Sequence, residues 1–300
     1  KKIFTDSEIN RLLEQNNIMF SSANSINWGR LLPQIVYYFS AYCDLMANGK
    51  IAYEGEKVNI VVPTGNFGNI LAAYYAKKMG LPVKKLICAS NANNVLTDFL
   101  NTGVYNRNRD FHTTISPSMD ILVSSNLERL LYDLTGNDST RVAGWMKELA
   151  SGGRYQVDGD ILNRLHELFY AGFCNDAATK ETIREIYRTD NYLCDTHTAV
   201  AVNVYQQYVE AEKDTETPTI VVSTASPYKF ADSVLSAVSA DYRADASEFE
   251  KVQALSAVTG TPIPTPIAQL KSKKVRFTAI CPKDKMSEAV LKTAGIKYTV

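Results

Sequence analysis

The sequence predicts an α/β fold with a three-layer, largely parallel sheet. Three short and mostly apolar runs, at 59–62, 86–89 and 219–222, have the composition of strands that are covered on both faces. Helical patterns separate these runs at the spacing of crossover connections between parallel strands. Ligands of such sheets bind beside the carboxyl ends of the strands, so the turns that follow the runs are the first candidates for a site.

Composition and charge narrow the possible classes of function. The chain has 300 residues, 45% hydrophobic and 21% charged, which is typical of a globular protein with one large core or two smaller ones. The formal net charge is zero, so no basic field favours nucleic acid or an anionic membrane as a partner. No apolar run approaches the roughly 20 residues of a transmembrane helix. We therefore expect a small-molecule partner, with no nucleic acid and no membrane.

The cysteines indicate a reducing environment. They are five in number and scattered, and they form no C-x-x-C pair, which argues against a zinc site or a redox couple. We interpret them as small buried side chains, so the sequence predicts a cytoplasmic protein without a metal. The chain also begins without Met and inside an element pattern, which suggests a piece of a longer protein. The cysteines are Cys43, Cys88, Cys174, Cys194 and Cys281.

The first predicted elements are helical. Thr5 and Glu8 have the spacing of a capping box, which predicts a short helix ending near Asn16. Residues 17–20 have the pattern of a strand end, and a polar segment follows them. A long apolar helix is then expected from Trp28 to about Met46, with its proline near the first turn, where proline does least harm.

The turn after the first buried strand is the most informative stretch of the chain. It reads Pro63-Thr64-Gly65-Asn66-Phe67-Gly68-Asn69, and a helical pattern follows it as far as Gly80. Gly65 and Gly68 permit positive φ and a close approach of ligand to backbone. Amide groups at a helix N-terminus bind anions, and phosphate is their usual ligand. The spacing fits neither a dinucleotide fingerprint nor an NTPase loop, which favours one small phosphate; an ordinary tight turn is the alternative.

The rest of the chain continues the alternation of helices and strands. Helix N-caps are expected at Asp138, Asp158 and Asn175, and the middle of the chain, 137–190, is helical and more polar. The predicted elements after the turn are a helix at 70–79, a strand at 84–89, helices at 95–101 and 118–135, a strand at 219–222, a helix ending at 238, a late strand at 273–281 and a last helix at 286–294.

Two further polar groups could bind a ligand near strand ends. Ser223 and Thr224 follow the third strand, where a hydroxyl could bond a heterocyclic nitrogen of a ligand whose phosphate sits in the first turn; helix capping is the alternative. The segment Ser22–Asn27, with Arg30 one turn later, could bind a polar substrate or could be a solvated loop.

The histidines form no catalytic set, and no nucleophile-elbow or metalloprotease motif occurs. Asp195 and His197 predict a helix cap.

Several ordered motifs together resemble threonine synthase, an enzyme of fold type II that depends on pyridoxal 5'-phosphate. The resemblance spans most of residues 18–238. It places these 300 residues mainly in the large cofactor-binding domain, as a carboxyl-terminal part with a tryptophan synthase β-like fold. The motifs that carry it are Ser22-Ala23-Asn24-Ser25-Ile26-Asn27 with Arg30, Pro63 to Asn69 with Ala76 to Pro82, Asn91-Ala92-Asn93, Ile115 to Ile121 and Thr224 to Phe230.

The resemblance implies roles for individual residues. Gly65, Asn66, Phe67, Gly68 and Asn69 would hold the 5'-phosphate of the cofactor through backbone amides. Thr224 would face the pyridine nitrogen, and a hydroxyl there, in place of a carboxylate, would leave that nitrogen mostly unprotonated. The residues expected near the substrate are Asn24, Ser25, Asn27 and Arg30.

The reaction implied by the resemblance belongs to threonine biosynthesis. It converts O-phospho-L-homoserine and water into L-threonine and phosphate, with the carbanion chemistry carried by the cofactor. A lysine that binds the cofactor covalently then moves protons at Cα and Cβ.

The chain departs from the family pattern in two places. Ser226 stands where family members often have His, which we interpret as a tolerated change. More importantly, the family's Schiff-base lysine lies in an amino-terminal Phe-Lys-Asp setting that these residues lack; Lys283 follows Pro282 and does not fit, and Lys229 has no aldimine role in the pattern. We therefore expect no catalytic residue in this chain. We also expect that the amino-terminal portion of the enzyme and most of its small domain are absent from these 300 residues. We also expect weak or absent cofactor binding and no turnover by the isolated chain.

Two alternatives remain open at this stage. One is another fold-type-II lyase, such as a serine or threonine dehydratase or a cysteine synthase, although those usually have a glycine-richer phosphate loop. The other is a non-catalytic module that binds a phosphate-bearing ligand. Truncation of a shared core would expose apolar surface, so we also predict self-association of the chain.

Overall fold

The computed structural model describes residues 2–296, and the chain divides into two compact units. The large unit comprises residues 25–271, and the small unit comprises residues 1–24 and 272–300. None of the helices in the described part of the chain is long and apolar enough to cross a membrane.

The described residues form helices and strands in alternation. The α-helices are α1 Ser7–Gln15, α2 Trp28–Ala47, α3 Gly68–Lys78, α4 Val95–Thr102, α5 Leu127–Leu134, α6 Ser139–Gly152, α7 Gly159–Leu168, α8 Asp176–Asp190, α9 Thr196–Glu212, α10 Ala231–Val238, α11 Glu248–Thr259, α12 Thr265–Ala268 and α13 Met286–Thr293. The strands are β1 Val58–Pro63, β2 Val83–Ser90, β3 Val104–Asn106, β4 Arg154–Gln156, β5 Phe169–Phe173 and β6 Thr219–Val221. Short 3-10 helices include Pro117–Met119 and Pro227–Phe230.

The main sheet of the large unit is parallel and has the order β5-β2-β1-β6. Every residue of β1 is buried, because helices cover both faces. Ile60 and Val62 point into the cluster that contains α3 and α4, whereas Val61 packs with Val200 and Val204 of α9. Alternate β1 side chains thus enter two different cores, which confirms the three-layer α/β prediction. A separate antiparallel pair joins β3 to β4.

The register of the sheet brings two predicted ligand turns side by side. Val61 pairs with Val221 across β1 and β6, and the amide of Val222 donates to the carbonyl of Val61 at 3.0 Å. Neighbouring strands lie about 4.8 Å apart. The turn after β1 and the loop after β6 therefore leave the same carboxyl edge of the sheet as neighbours.

The predicted caps and helix stops are largely confirmed. Asp138, Asp158 and Asn175 are the N-caps of α6, α7 and α8, and Asp195 is the N-cap of α9. Helix α3 ends before Gly80, which has φ of +105°. The capping box at Thr5 is wrong, because the Asp6 carboxylate instead accepts from the amides of Glu8 and Ile9, both at 3.1 Å.

Other predictions of secondary structure are wrong for identifiable reasons. The predicted helix at 118–135 begins only at Leu127, because residues 112–126 are held by side-chain hydrogen bonds that oppose a helix. The polar middle contains β4 and β5 as well as helices, and β5 pairs with β2 in the main sheet. The expected strand end at 17–20 is not a strand.

The small unit is organised by helices. Ile9 and Leu13 of α1 pack with Leu291 of α13, and all three are buried. The strand predicted at 273–281 does not form. Val275, Phe277 and Ile280 are 71–95% exposed there, since no described strand of this unit pairs with them.

Candidate functional site

The turn after β1 presents free amide donors at the N-terminus of α3. The amide of Thr64 bonds the carbonyl of Ala89 at 2.8 Å, which fixes the start of the turn to β2. Within residues 2–296, none of the amides from Gly65 to Ile70 donates to another atom of the chain. Helix N-termini leave such donors unsatisfied and add a favourable potential for negative charge. The arrangement can therefore bind an anion such as a phosphate group.

The positive φ in this turn belongs to Phe67 and not to either glycine. Phe67 has φ of 64° and ψ of 1°, whereas Gly65 and Gly68 both lie outside the left-handed region. A bulky residue in this conformation costs on the order of 1–2 kcal/mol. Its ring is buried, 5.9 Å from the ring of Phe169 between centroids, so packing offsets the cost. The turn therefore does not use the freedom of its glycines to adopt positive φ.

The glycines are needed because other parts of the chain approach them closely. A Cβ on Gly65 would lie 2.9 Å from the carbonyl oxygen of Ser118 and 3.1 Å from Cα of Met119. A Cβ on Gly68 would lie 2.9 Å from Cβ of Ser25. The missing side chains thus allow two loops to pack directly against the turn.

Polar side chains that the sequence analysis did not select hold this turn in place. The hydroxyl of Ser124 donates to the carbonyl of Gly65 at 3.0 Å, and Nδ2 of Asn126 donates to the carbonyl of Asn66 at 2.8 Å. Asn126 also donates to Oγ of Ser25 at 3.1 Å. These bonds occupy the carbonyls of Gly65 and Asn66, while the amides of the turn have no acceptor among the described residues. The sequence feature that could have indicated these side chains is the polar run Ser124-Ser125-Asn126, just before an amphipathic helix.

A second network supports the Ser118 loop from behind. Nδ2 of Asn91 donates to Oδ1 of Asp120 at 2.8 Å and Nδ2 of Asn93 donates to the same oxygen at 2.9 Å. The hydroxyl of Thr114 donates to that oxygen as well, at 2.7 Å. Both asparagines are buried. The motifs around Asn91 and Asp120 therefore act through the backbone that lies against Gly65.

The loop after β6 carries the predicted hydroxyl groups. Ser223 and Thr224 are exposed at the carboxyl edge of the sheet, one strand away from the glycine turn. Oγ of Ser223 shares a 3.1 Å hydrogen bond with the hydroxyl of Thr198 in α9. Ser226 is the N-cap of the following 3-10 helix and accepts from the amide of Tyr228 at 3.3 Å. Thr224 has no such capping bond, so its hydroxyl is available at the edge.

A buried acid and histidine lie beneath these loops. Oδ1 of Asp195 accepts from the amide of His197 at 2.8 Å, which is the predicted cap, and lies 3.2 Å from Nδ1 of the same histidine. Nε2 of His197 accepts from the amide of Ser118 at 3.3 Å. Burial opposes ionisation of Asp195, but hydrogen bonds from His197 and Thr198 outweigh it and hold the pKa of that carboxyl below its usual value.

The predicted substrate residues occupy different positions. Ser25 lies against Gly68 and Asn126, beside the turn. Asn27 is the N-cap of α2 and accepts from the amide of Gly29 at 2.9 Å, while Arg30 is exposed in the first turn of that helix. Asn24 belongs to the small unit, where its Oδ1 accepts from the hydroxyl of Ser22 at 2.7 Å.

The side chain of Asn69 points toward α2 and does not join the donors of the turn. The hydroxyl of Tyr38 donates to Oδ1 of Asn69 at 2.7 Å and also lies 3.0 Å from its carbonyl oxygen. Burial raises the pKa of Tyr38 far above its usual value, so this phenol stays neutral. Asn69 therefore contributes a backbone amide to the site while its side chain anchors α3.

The residues present fit a small phosphorylated cofactor. The turn supplies neutral donors to a phosphate, and Thr224 supplies a hydroxyl in the loop after the neighbouring strand. No carboxylate from the described residues bonds to the amides of the turn. No group of three His, Cys, Asp or Glu side chains in residues 2–296 could hold a metal ion.

Comparisons with known proteins agree with this arrangement. A family profile described as "Threonine synthase, C-terminal" matches residues 198–290. Human threonine synthase-like 1 is 45% identical over 240 residues, which cover 79% of this chain and 32% of that protein. The crystal structure of threonine synthase from yeast superposes with a TM-score of 0.79 at 35% identity, and covers 98% of this chain and 56% of that one.

A further solved structure is that of threonine synthase from Brucella melitensis with pyridoxal 5'-phosphate bound. It has a TM-score of 0.70 and 37% identity, and covers 84% of this chain and 51% of that chain. The 300 residues thus span between about a third and about half of the length of these relatives. In sequence and fold, the chain is therefore similar to threonine synthases.

Proposed function

We propose that this chain forms the pyridoxal 5'-phosphate site of a threonine synthase, which converts O-phospho-L-homoserine and water into L-threonine and phosphate. The observation that carries the proposal is the set of free amides from Gly65 to Ile70, with Thr224 on the adjacent strand end. The similarity of the chain to threonine synthases and the cofactor named in the Brucella structure support it.

The residues of the chain bind and orient in this proposal. The amides from Gly65 to Asn69 hold the 5'-phosphate, and Phe67 keeps those amides convergent. The hydroxyl of Thr224 bonds the pyridine nitrogen and, being no acid, leaves it mostly unprotonated. When bound, the cofactor supplies the electron sink for carbanion chemistry.

The substrate is proposed to lie between the turn and the start of α2. Ser25 is in contact with Gly68, and Asn27 and Arg30 follow it on α2. An arginine suits the phosphate of O-phosphohomoserine through paired N–H donors. We propose that Arg30, Ser25, Asn27 and Asn24 contact the substrate.

The covalent anchor of the cofactor is proposed to come from residues outside these 300. Lys229 is close to Thr224 in the sequence, but the family pattern gives it no aldimine role. Its Nζ lies 5.8 Å from the centroid of the Phe230 ring. We expect no turnover by the isolated 300 residues, because they lack this anchor. We also propose a cytoplasmic location for the whole protein.

The decisive experiment measures phosphate release from O-phosphohomoserine. The protein of the complete gene is expected to release phosphate and form threonine, and the 300-residue chain is expected to do neither. Borohydride reduction with pyridoxal 5'-phosphate, followed by peptide mapping, should label a lysine outside the 300 residues. Labelling of no lysine in the complete protein would favour a non-catalytic module that binds a phosphate-bearing ligand.

A dehydratase is the second candidate, and the same assay separates the two. Formation of 2-oxobutanoate from threonine, without phosphate release from O-phosphohomoserine, would assign the chain to a serine or threonine dehydratase. The direct packing of Ser25 and Ser118 on the glycine turn favours the synthase, because these residues belong to the motifs that distinguish it.

Self-association of the isolated chain is proposed as well. Leu32, Val36 and Tyr37 of α2 are 52–64% exposed and form an apolar patch. Sedimentation velocity at micromolar concentration should show a species larger than 33.3 kDa. A monomeric profile would contradict the proposal.

A further inference from the structure

We propose that His197 is a positioning residue that ties the glycine turn to the Thr224 loop. The inference rests on the proposed function, since it assigns the two loops to opposite ends of one cofactor. His197 touches neither loop's ligand-facing atoms; it acts through the backbone of Ser118 and through Asp195.

The connection runs through one continuous set of hydrogen bonds. Nε2 of His197 accepts from the amide of Ser118, whose carbonyl lies against Gly65. On its other side, Nδ1 of His197 lies 3.2 Å from Oδ1 of Asp195. The second oxygen of Asp195 accepts from the hydroxyl of Thr198, and that hydroxyl shares a 3.1 Å bond with Ser223.

These partners define one protonation state of the histidine. Because Nε2 accepts from an N–H, it carries no proton, and Nδ1 must then donate to Asp195. A neutral imidazole with its proton on Nδ1 satisfies both bonds. The ring is 2% exposed and packs on Phe230, with ring centroids 4.8 Å apart, so water does not compete for either nitrogen.

Helix capping alone does not require this histidine. The cap of α9 is made by the carboxylate of Asp195, which accepts the backbone amides of His197 and Thr198. Any residue at 197 would supply the first of these amides. The imidazole adds the bond to Ser118, and a buried polar ring without that bond would be costly. The side chain at 197 is therefore explained by the loop it reaches and not by the cap.

The link matters because the sheet alone connects the two loops weakly. Strand β6 has three residues, all only partly buried, and Ser223 and Thr224 extend beyond its last pair with β1. The phosphate and the pyridine nitrogen of a rigid cofactor require a fixed separation between Gly65 and Thr224. A buried bridge beneath both loops supplies that separation.

Two substitutions divide the two bonds of the ring. In His197→Gln the side-chain oxygen can take the place of Nε2 and accept from Ser118. In His197→Asn the side-chain amide can take the place of Nδ1 and donate to Asp195, but it leaves the amide of Ser118 without a partner. His166→Gln is the matched control, because His166 is exposed on α7 and its Nε2 bonds only the carbonyl of Asn101 at 3.2 Å.

The first measurement is affinity for pyridoxamine 5'-phosphate, which cannot form an aldimine with surface lysines. Calorimetry on the cofactor-free protein of the complete gene should show about tenfold weaker binding for His197→Asn, with His197→Gln within about threefold of the parent and His166→Gln unchanged. Equal losses for Gln and Asn would overturn the proposal, since a merely structural role does not distinguish the two bonds.

The second measurement does not depend on any ligand. Amide hydrogen exchange should rise in the peptide containing Ser118 in His197→Asn, which loses the bond to that amide, and in the peptide containing Ser223 and Thr224 in His197→Gln, which loses the bond to Asp195. In the parent protein, nitrogen NMR should find the proton of His197 on Nδ1. Unchanged exchange in either of these peptides, or a proton on Nε2, would overturn the bridge.

The two measurements separate the two proposals. If the complete parent protein fails to bind pyridoxamine 5'-phosphate, while His197→Asn loosens the Ser118 loop and His197→Gln loosens the Thr224 loop, the bridge stands and the cofactor assignment fails. If the parent binds and His197→Asn binds equally well with unchanged exchange, the bridge fails and the cofactor assignment stands.

Discussion

The two ends of the main sheet both contain buried polar groups, but they use them in opposite ways. At the carboxyl edge, the amides from Gly65 to Ile70 are donors that no acceptor of the described residues occupies. At the amino edge, four side-chain donors converge on one carboxylate, that of Asp214. The comparison shows which kind of polar cluster indicates a ligand.

At the amino edge, the donors surround an anion that is part of the protein, the carboxylate of Asp214. Asp214 accepts from Asn59 at 3.0 Å, from the hydroxyl of Tyr208 at 2.7 Å and from that of Thr217 at 2.6 Å. Nζ of Lys84 lies 2.9 Å from the same carboxylate. Burial opposes ionisation of Asp214, yet these donors hold its pKa far below the usual value. The group left over there is an acceptor, the buried Oδ1 of Asn59, which cannot bind an anion.

The glycine turn at the carboxyl edge also brings hydrogen-bond donors together, but none of the described residues supplies a carboxylate to accept from them. Ser124 and Asn126 bond the carbonyls of the turn and leave the amides unused. A phosphate would therefore do at this edge what Asp214 does at the other. Donors without an acceptor, more than buried polarity as such, mark the turn as the candidate anion site.

The largest expected effect is that of Gly65→Ala, which tests the donor cradle. Its Cβ would meet backbone atoms of the Ser118 loop at 2.9 Å and 3.1 Å, and such overpacking costs up to about 3 kcal/mol. We expect affinity for pyridoxamine 5'-phosphate, measured by calorimetry, to fall about a hundredfold.

Gly144→Ala is the control, because Gly144 lies inside α6 with open space around its Cα. It should leave affinity unchanged and raise the free energy of unfolding by about 0.5–1 kcal/mol. Unchanged affinity in Gly65→Ala would show that the turn is not the phosphate site.

The second prediction concerns the other end of the sheet. Asp214→Asn leaves the donors around it without a charged acceptor and should lower the free energy of unfolding by about 2 kcal/mol at pH 7. Because the folded pKa is depressed, the contribution of Asp214 is fully present above its unfolded pKa of about 3.9 and is lost as the pH falls below that value.

Denaturant unfolding at pH 7 and at pH 3 should therefore show a large difference between parent and variant at pH 7 and a smaller one at pH 3. Affinity for pyridoxamine 5'-phosphate should stay unchanged, since the variant lies at the opposite edge. A loss of affinity comparable with that of Gly65→Ala would erase the distinction between the two ends.

The smallest effect is expected for Ser124→Ala. The change removes one hydrogen bond to the carbonyl of Gly65, worth about 1 kcal/mol. It leaves intact the hydrogen bond that the backbone amide of Ser124 donates to the hydroxyl of Tyr105. Calorimetry should find affinity weakened about threefold to fivefold. Ser236→Ala, whose hydroxyl bonds only the carbonyl of Ser233 in α10, should show no change.

Much of this architecture could be predicted from local pattern. The strands around Val61, Ile87 and Ile220 are continuous apolar runs, and the caps at Asp138 and Asp195 are read from a single residue type before a helix. Strand β5 could not be predicted in the same way. Its five residues, Phe169–Phe173, contain a glycine inside a helical region, and only pairing with β2 makes them a strand.

The position of the glycine turn could be predicted from the sequence, but the contacts that hold the turn in place could not. The glycine spacing marked the turn, yet the strained residue is Phe67, and the glycines serve to admit Ser118 and Ser25. Those contacts join residues that are distant along the chain, and no local pattern records them. The same holds for His197, whose cap was visible in the sequence and whose bond to Ser118, 79 residues away, was not.

The pairing of β1 with β6 has a consequence for the order in which the protein is made. Asn59 and Thr219 are 160 residues apart along the chain, although they are neighbours in the sheet. Domains fold as they emerge from the ribosome at about 5–20 residues per second, and contacts this distant form late. The nascent chain can complete its glycine turn several seconds before the loop that carries Thr224 has been synthesised, so the two loops become neighbours only late in synthesis.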